Sequence, residues 1–439
     1  MTTTFERIAA KARGDKTMRF TSLCHHITPA LLWESLNEIP YDTSAGVDRI
    51  NLKQAKKTFP QWSQEVISQI HRGGYRPAAA RRVYIPKPGK VEKRPLNVPT
   101  VIDRAIQRSV NKVLNNIYEA DFLACSFGGR PERNAHQALA TIKHAIDQKG
   151  VNWVYEADLK NFFGSLNHGW VEQFIDLRVG DPRLIRLIKR WLRAGHLEGG
   201  KRIPAQQGAA QGGPISVLLS NLYLHYVLDL WIEKVVKPRL KGRVYYVRYL
   251  DDFILGFQYE TDAKRFESAL IKRLERFSLA LEPSKTRFIA VGRHARNKAR
   301  REGKPMQTFY FLGFTLYNTR SRTGLYVIGM KTEKSRLKRG IEKLKATMKA
   351  IRHKPLETQI KSINSFLTGS YCYYGVMGNM DSLQRLYYTT LKQWKKTLST
   401  RSQSGRLNWE KFRKILSVYP IRRPRIYIGY KQLEQLVLL

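Results

Sequence analysis

Two adjacent acids, Asp251 and Asp252, lie between apolar arms in the stretch Val244-Tyr-Tyr-Val-Arg-Tyr-Leu-Asp-Asp-Phe-Ile-Leu-Gly-Phe257. The pattern reads as a β-hairpin whose turn holds both carboxylates at the edge of a sheet. Adjacent carboxylates repel, and a divalent cation such as Mg²⁺ relieves the repulsion while drawing substrate phosphates to the same place. Taken alone, the hairpin has a second reading as an ordinary Asp-rich turn, because Asp is a common turn residue. A third acid, Asp158, ends the apolar run Trp153-Val-Tyr-Glu-Ala-Asp158 and is followed by Leu-Lys-Asn-Phe-Phe rather than by turn residues. Its alternative role is to cap the helix that follows. Three carboxylates on neighbouring strand ends suit two divalent ions. One would lower the pKa of an attacking hydroxyl and the other would bind a polyphosphate, both stabilising charge at phosphorus.

The elements around these acids follow from apolar spacing. Residues 153–158 form a strand, with helices near 170–177 and 184–194. A Gly-rich loop from Gly208 to Pro214 opens a helical stretch over 215–231, and the hairpin comes next. A helix over 262–279 precedes strands at 287–291 and 309–317. Strand, helix, paired strands is the order of a split βαββ unit, so the fold class is α+β. Upstream, residues 29–36 and 62–70 read as helices. Residues 81–99 read as a basic hairpin with Lys87, Lys90, Lys93 and Arg94 around its tip, and 102–114 as a helix with Ile102, Ile106, Val110, Val113 and Ile117 on one face. Beyond about residue 331 the reading is helical, with stripes at Leu337, Ile341, Leu344, Met348 and Ile351, at Leu383, Leu386, Leu391 and Trp394, and with Ile360, Ile363 and Phe366 between them. Three regions result: 1–75, 76–330 and 331–439.

The 78 Lys and Arg against 35 Asp and Glu leave a formal charge of +43, which would be self-repelling without a polyanion, so nucleic acid is the expected partner. The cluster Lys334, Arg336, Lys338, Arg339, Lys343 and Lys345 suits phosphates, although a charge run is also what a solvated helix face looks like. With 42% hydrophobic and 11% aromatic residues the chain is globular rather than disordered. Cys24, Cys125 and Cys372 are too far apart in sequence to read as a disulfide framework or a zinc site, and are expected to be buried thiols. The first residues hold no apolar core of signal-peptide length, and no uncharged run is long enough to span a bilayer. The expectation is a soluble, cytoplasmic protein with no membrane partner.

These motifs together resemble the reverse transcriptases of the group II intron lineage, from about Phe20 to the C-terminus. Tyr249-Leu-Asp-Asp252 resembles the Tyr-x-Asp-Asp motif, and Glu156-Ala-Asp-Leu-Lys-Asn-Phe-Phe163 the motif of the first aspartate. Arg82-Val-Tyr-Ile-Pro-Lys87 with Lys93-Arg-Pro-Leu96 is similar to the fingers hairpin. Ser126-Phe-Gly-Gly-Arg-Pro131, Gln211-Gly-Gly213 with Leu218-Leu-Ser-Asn221, and Phe311-Leu-Gly-Phe314 match further segments of the family. Thr43-Ser-Ala-Gly-Val-Asp48 looks like its N-terminal extension motif. The sequence departs from the pattern at Leu250, where Ala is usual, at Gly129, where Phe is usual, and at Ala210, Pro214 and Val217.

The resemblance implies a right-hand polymerase fold with an N-terminal extension (1–75), fingers and palm (76–330) and a helical thumb (331–439). It implies an RNA-directed DNA polymerase using two Mg²⁺ ions, for which Mn²⁺ would substitute. The catalytic residues would be Asp158, Asp251 and Asp252, with Leu159 joining them in the metal set. Lys87 and Arg94 would contact the incoming triphosphate, Phe163 would exclude a ribose 2′-hydroxyl, Gln211 would line the nucleotide pocket, and Lys285 would assist the triphosphate. Expected partners are an RNA template, a DNA or RNA primer, dNTPs and a cognate structured non-coding or intron RNA. Retrohoming, antiphage defence and DNA repair are all roles open to such an enzyme. An intron maturase with an idle polymerase, and a DNA-templated or primer-independent nucleotidyl transferase, are the competing classes; the intact triad favours an active enzyme. The short run after Pro424-Arg-Ile-Tyr427 leaves no room for the endonuclease domain of some relatives, so DNA cleavage is not expected.

Overall fold

The computed structural model describes residues 4–86, 92–209, 212–321, 323–401 and 407–438. Its strands in chain order are β1 (Ala80–Pro86), β2 (Lys93–Val98), β3 (Trp153–Asp158), β4 (His196–Glu198), β5 (Lys201–Ile203), β6 (Val244–Tyr249), β7 (Asp252–Phe257), β8 (Arg287–Ala290), β9 (Thr308–Phe311), β10 (Phe314–Arg320) and β11 (Tyr326–Thr332). They form three sheets, ordered β2-β1-β4-β5, β6-β7-β3-β8 and β11-β10-β9. With helices packed among them, the chain is a mixed α+β protein.

The sheet β6-β7-β3-β8 is covered on both faces, which explains why β3 and β7 read as nearly continuous apolar runs rather than alternating ones. Tyr155, Ala157, Phe253, Leu255 and Phe257 belong to the larger core, which also takes in residues of the helices Val101–Tyr118 and Pro214–Leu224. Val154, Ile254 and Ile289 point the other way, into a second core shared with the helix Ala135–Gln148 and with β9, β10 and β11. That helix is absent from the sequence reading, although Asn134 and Gln137 form a capping box at its start. The helix Gly292–Glu302 and the short pair β4 and β5 are absent from it too. The strand expected over 309–317 is two strands: Leu312 and Gly313 both take positive φ (50° and 78°) and turn β9 back into β10.

The helical path from Pro214 to Arg239 is long and apolar enough, by length and composition, to cross a bilayer, contrary to the reading that no run would be. Its apolar window is 78% buried inside the protein, as a core helix requires. Within it, residues His225–Asp229 and Ile232–Val236 wind as π-turns. Of the cysteines, Cys24 and Cys125 are buried, but Cys372 is exposed: the helix Leu356–Tyr374 turns Tyr371 inward and the next residue outward.

Beyond β11 the three expected stripes meet in one core containing Leu344, Met348, Ile363, Leu386 and Trp394, where the Trp394 indole donates to Gln359 Oε1 at 3.0 Å. The last segment returns to the second core. Val376 bridges Ile428, and the backbone of Leu438 is hydrogen-bonded to Thr141. At the other end, the loop at residues 43–48 is held by Arg104, which donates to Thr43 Oγ1 and to the Ser44 carbonyl.

Candidate active site

β3 and β7 pair in antiparallel register with Asp158 directly opposite Asp252. β6 pairs with β7 so that Tyr249 is opposite Asp252, leaving Leu250 and Asp251 as the two turn residues. Two central strands of one sheet therefore end in carboxylates, with a third carboxylate in the adjoining turn. The β3 end is fixed from the far side as well. Glu282 N donates to Asp158 O at 2.8 Å, Lys160 N to Ala280 O at 2.8 Å, and Leu159 bridges Leu281. These bonds bring the turn Pro283–Lys285 to the acids, and the Lys285 ammonium donates to Asp158 Oδ2.

The charges in this cluster are strongly coupled. Asp252 is exposed to solvent, yet protein crowds around it, and this restricted solvation pushes its carboxyl up to about 7; Asp251 and Asp158 add repulsion, and a hydrogen bond shared with Asp158 favours the protonated form. Asp251 is raised for the same leading reason and by Asp158, while Lys285 and Arg94 pull it back. Partial burial works against the Lys285 ammonium, but the hydrogen bond and charge of Asp158, with the charges of Asp252 and Asp251, raise its pKa. On the same strand as Asp158, Glu156 is paired with Arg287 at 2.7 Å, and that guanidinium lies over the Tyr310 ring at 5.1 Å.

Among the described residues, no three His, Cys, Asp or Glu side chains stand close enough together to grip an ion as they are. Asp158 is engaged with Lys285 instead. The donor set nevertheless suits a hard divalent cation, since it consists of carboxylate oxygens on adjacent strand ends whose mutual repulsion a cation would relieve. Leu159 buries its side chain in the larger core, so only its backbone carbonyl is available as a ligand.

Arg94, on β2, and Phe163, in the short helix Phe162–Ser165, line one cleft of about 670 Å³ together with Gly212 and Gly213. Phe163 O accepts from Ala209 N at 2.8 Å, tying the Phe163 segment to the Gly-rich loop. Gly212 has a φ of 118°, and a Cβ there would lie 2.7 Å from Asn97 O, so this glycine lets the loop press against β2. Lys87 and Gln211 lie outside the described residues.

Residues 85–316, more than half of the chain, match the family described as reverse transcriptase (RNA-dependent DNA polymerase). The chain belongs to that family. This reverse transcriptase is 31% identical over 355 residues to protein YkfC of Escherichia coli, an alignment covering 72% of this chain and 88% of that protein. It is 33% identical over 230 residues to the group II intron-encoded protein LtrA of Lactococcus lactis, covering 51% of this chain but only 38% of that relative. The enzyme is thus an RNA-directed DNA polymerase of the group II intron-like lineage, a class that implies an RNA template, nucleotide substrates and a divalent metal.

A buried network beneath the Leu250-Asp251 turn went unnoticed in the sequence. Arg248, with its side chain wholly buried, is ion-paired with the equally buried Asp229 at 2.6 Å. The one signal was a charged residue in the apolar strand Val-Tyr-Tyr-Val-Arg-Tyr, since unpaired charge is not tolerated inside a sheet.

Proposed function

We propose that this reverse transcriptase extends a DNA or RNA primer on an RNA template by two-metal nucleotidyl transfer at Asp158, Asp251 and Asp252. The observation that carries this reading is the cross-strand pairing of Asp158 with Asp252, with Asp251 in the adjoining turn. Asp158, Asp251 and Asp252, with the Leu159 carbonyl, would hold two Mg²⁺ ions, or Mn²⁺ in their place, which would supply activation of the primer 3′-hydroxyl and stabilisation of charge on the triphosphate.

The remaining roles fall to the chain. Arg94 faces the cleft beside Phe163, where a guanidinium can hold phosphate oxygens in bidentate fashion. Lys285, which donates to Asp158 in this structure, would serve as a second positive group for the polyphosphate once released from that carboxylate. Phe163, beside Arg94 in the same cleft, is the residue whose ring would exclude a ribose 2′-hydroxyl. Lys87 and Gln211 complete the nucleotide site by resemblance. The regions 1–75, 76–330 and 331–439 serve as N-terminal extension, fingers with palm, and thumb.

Primer extension with a DNA primer on an RNA template and dNTPs, titrated with Mg²⁺, tests the reading. Incorporation should require the metal and the RNA strand. Metal-independent incorporation, or none on any primed RNA template, would refute it.

A further inference from the structure

We propose that Arg248 is a positioning residue that holds the Leu250-Asp251 turn in shape and thereby aims the Asp251 and Asp252 carboxylates. The inference rests on the two-metal reading above. Leu250 has a φ of 57°, a left-handed conformation that is strained for a bulky residue and that hairpin turns normally assign to Gly or Asn. Something must hold it there, and Arg248 lies two residues away with its guanidinium directed at that turn.

Each donor of the guanidinium has a partner. Nη1 donates to Leu250 O at 3.1 Å and to Asn221 Oδ1 at 2.9 Å. Nη2 donates to Ser126 Oγ at 2.8 Å and to Asp229 Oδ2 at 2.6 Å, and Nε to Asp229 Oδ1 at 2.8 Å. The planar fork thus joins the catalytic turn to two other parts of the fold. One is the helical path Pro214 to Arg239, where the π-turn His225–Asp229 carries Asp229. The other is the loop at Ser126, whose neighbours bond the Arg248 backbone: Arg248 N donates to Cys125 O and Phe127 N to Arg248 O. Asn221 closes the circuit by donating to Gly128 O at 2.8 Å.

The turn rests on the same loop. A Cβ on Gly128 would lie 2.6 Å from Leu250 N, so the backbone of the turn sits flat on that glycine. Lysine could keep the charge opposite Asp229 but offers a tetrahedral ammonium with three donors, which cannot reach this set of acceptors in one plane. Arg248→Lys should therefore leave Asp229 paired and release the Leu250 carbonyl.

The test is steady-state primer extension on a primed RNA template across a Mg²⁺ titration, with the Kd for that template–primer measured alongside. Arg248→Lys is expected to raise the half-saturating Mg²⁺ about tenfold and lower kcat by about tenfold to a hundredfold, the usual range for losing a group that orients metal ligands. The template–primer Kd should stay within about twofold. Tyr246→Phe is the control: it removes a 3.0 Å bond to the same Asp229 carboxylate without touching the turn, and should leave the Mg²⁺ requirement near wild type. Equal shifts in the two variants, or no shift in Arg248→Lys, would overturn the proposal, because damage to the buried network alone moves both alike. Should Arg248→Lys fail to fold, Asn221→Ala takes its place, removing the other acceptor at Nη1, and the same comparison with Tyr246→Phe decides. A wild-type enzyme indifferent to Mg²⁺ would instead sink the two-metal reading itself.

Discussion

The Lys285 ammonium is hydrogen-bonded to Oδ2 of Asp158, the carboxylate directly across the strands from Asp252. A cation of the chain thus neutralises the acid that a metal would use. The Lys285 side chain is 58% exposed, so the pair contributes at most about 1 kcal/mol and a divalent ion can displace it. Lys285→Met should therefore bind Mg²⁺ in the absence of substrate more tightly than wild type, by up to about fivefold in calorimetry, while adding nucleotides more slowly. Unchanged Mg²⁺ affinity would show that the ammonium does not compete with the metal.

Stability should depend on pH in a definite direction. Asp252 titrates near 7 in the folded protein against an ordinary 3.8, so between these values the folded chain holds a proton that the unfolded chain has lost. Its contribution to stability therefore falls as pH rises from about 4 to about 7 and is constant above. Relative to wild type, metal-free Asp252→Asn should gain stability over that window, measured as the difference in Tm. Mg²⁺ needs the ionised acids, so its stabilisation of wild type should grow from pH 5 to pH 8. A Mg²⁺ effect equally large at pH 5 would contradict this assignment.

The adjacent rings Phe162 and Phe163 separate core from cleft. Phe163→Val should open space for a 2′-hydroxyl and reduce the preference for dNTP over rNTP by about tenfold or more. Phe162 is only 2% exposed and belongs to the larger core, so Phe162→Ala should cost about 3–5 kcal/mol in stability and leave sugar choice unaltered. Competition assays with paired dNTP and rNTP would expose an error if Phe163→Val kept wild-type discrimination.

On the helix Lys334–Ala350, the cations Lys334, Arg336 and Lys338 are exposed, and their carboxylate partners are distant: Arg336 is 3.7 Å from Glu333 and Lys338 is 4.0 Å from Glu342. These long separations leave the cations available to phosphates. Changing Lys334, Arg336, Lys338 and Arg339 to Gln should weaken template–primer binding and flatten the log-log salt dependence by about 0.7–0.9 for each phosphate no longer neutralised. Single-nucleotide addition at saturating template–primer should hold. A wild-type salt slope would mean that this face is only solvated.

Asp158, Asp251 and Asp252 were legible because strands covered on both faces carry long apolar runs, against which a terminal acid stands out. The helical stripes that end in Trp394 were legible for a similar reason, their spacing being local. What escaped depends on distant partners. β4 joins the sheet of β1 by pairing His196 with Ala80 and Leu197 with Arg81, and only its short hairpin with β5 around Gly199-Gly200 had a local signal. The break between β9 and β10 depends on the positive φ of Leu312 and Gly313, which a residue pattern dominated by apolar side chains hides. Gly129, Val217 and Leu250 looked like three separate departures from the family, yet a Cβ on Gly129 would lie 2.3 Å from Val217 Cγ1 and 3.3 Å from Leu250 Cδ2. The side chains at 217 and 250 fit because residue 129 has none, a relation that appears only once the loop is folded against the Leu250-Asp251 turn.

Single-turnover extension of a DNA primer on an RNA template by Asp251→Ala with Asp252→Ala, measured beside its template–primer Kd, tests the central claim most directly. Removing both acids should lower the rate by about three orders of magnitude or more, given the charge stabilisation that the bound metals provide. The Kd should remain that of wild type, because the basic surfaces are untouched. Extension at the wild-type rate by this variant would contradict the assignment of Asp158, Asp251 and Asp252 as the catalytic centre.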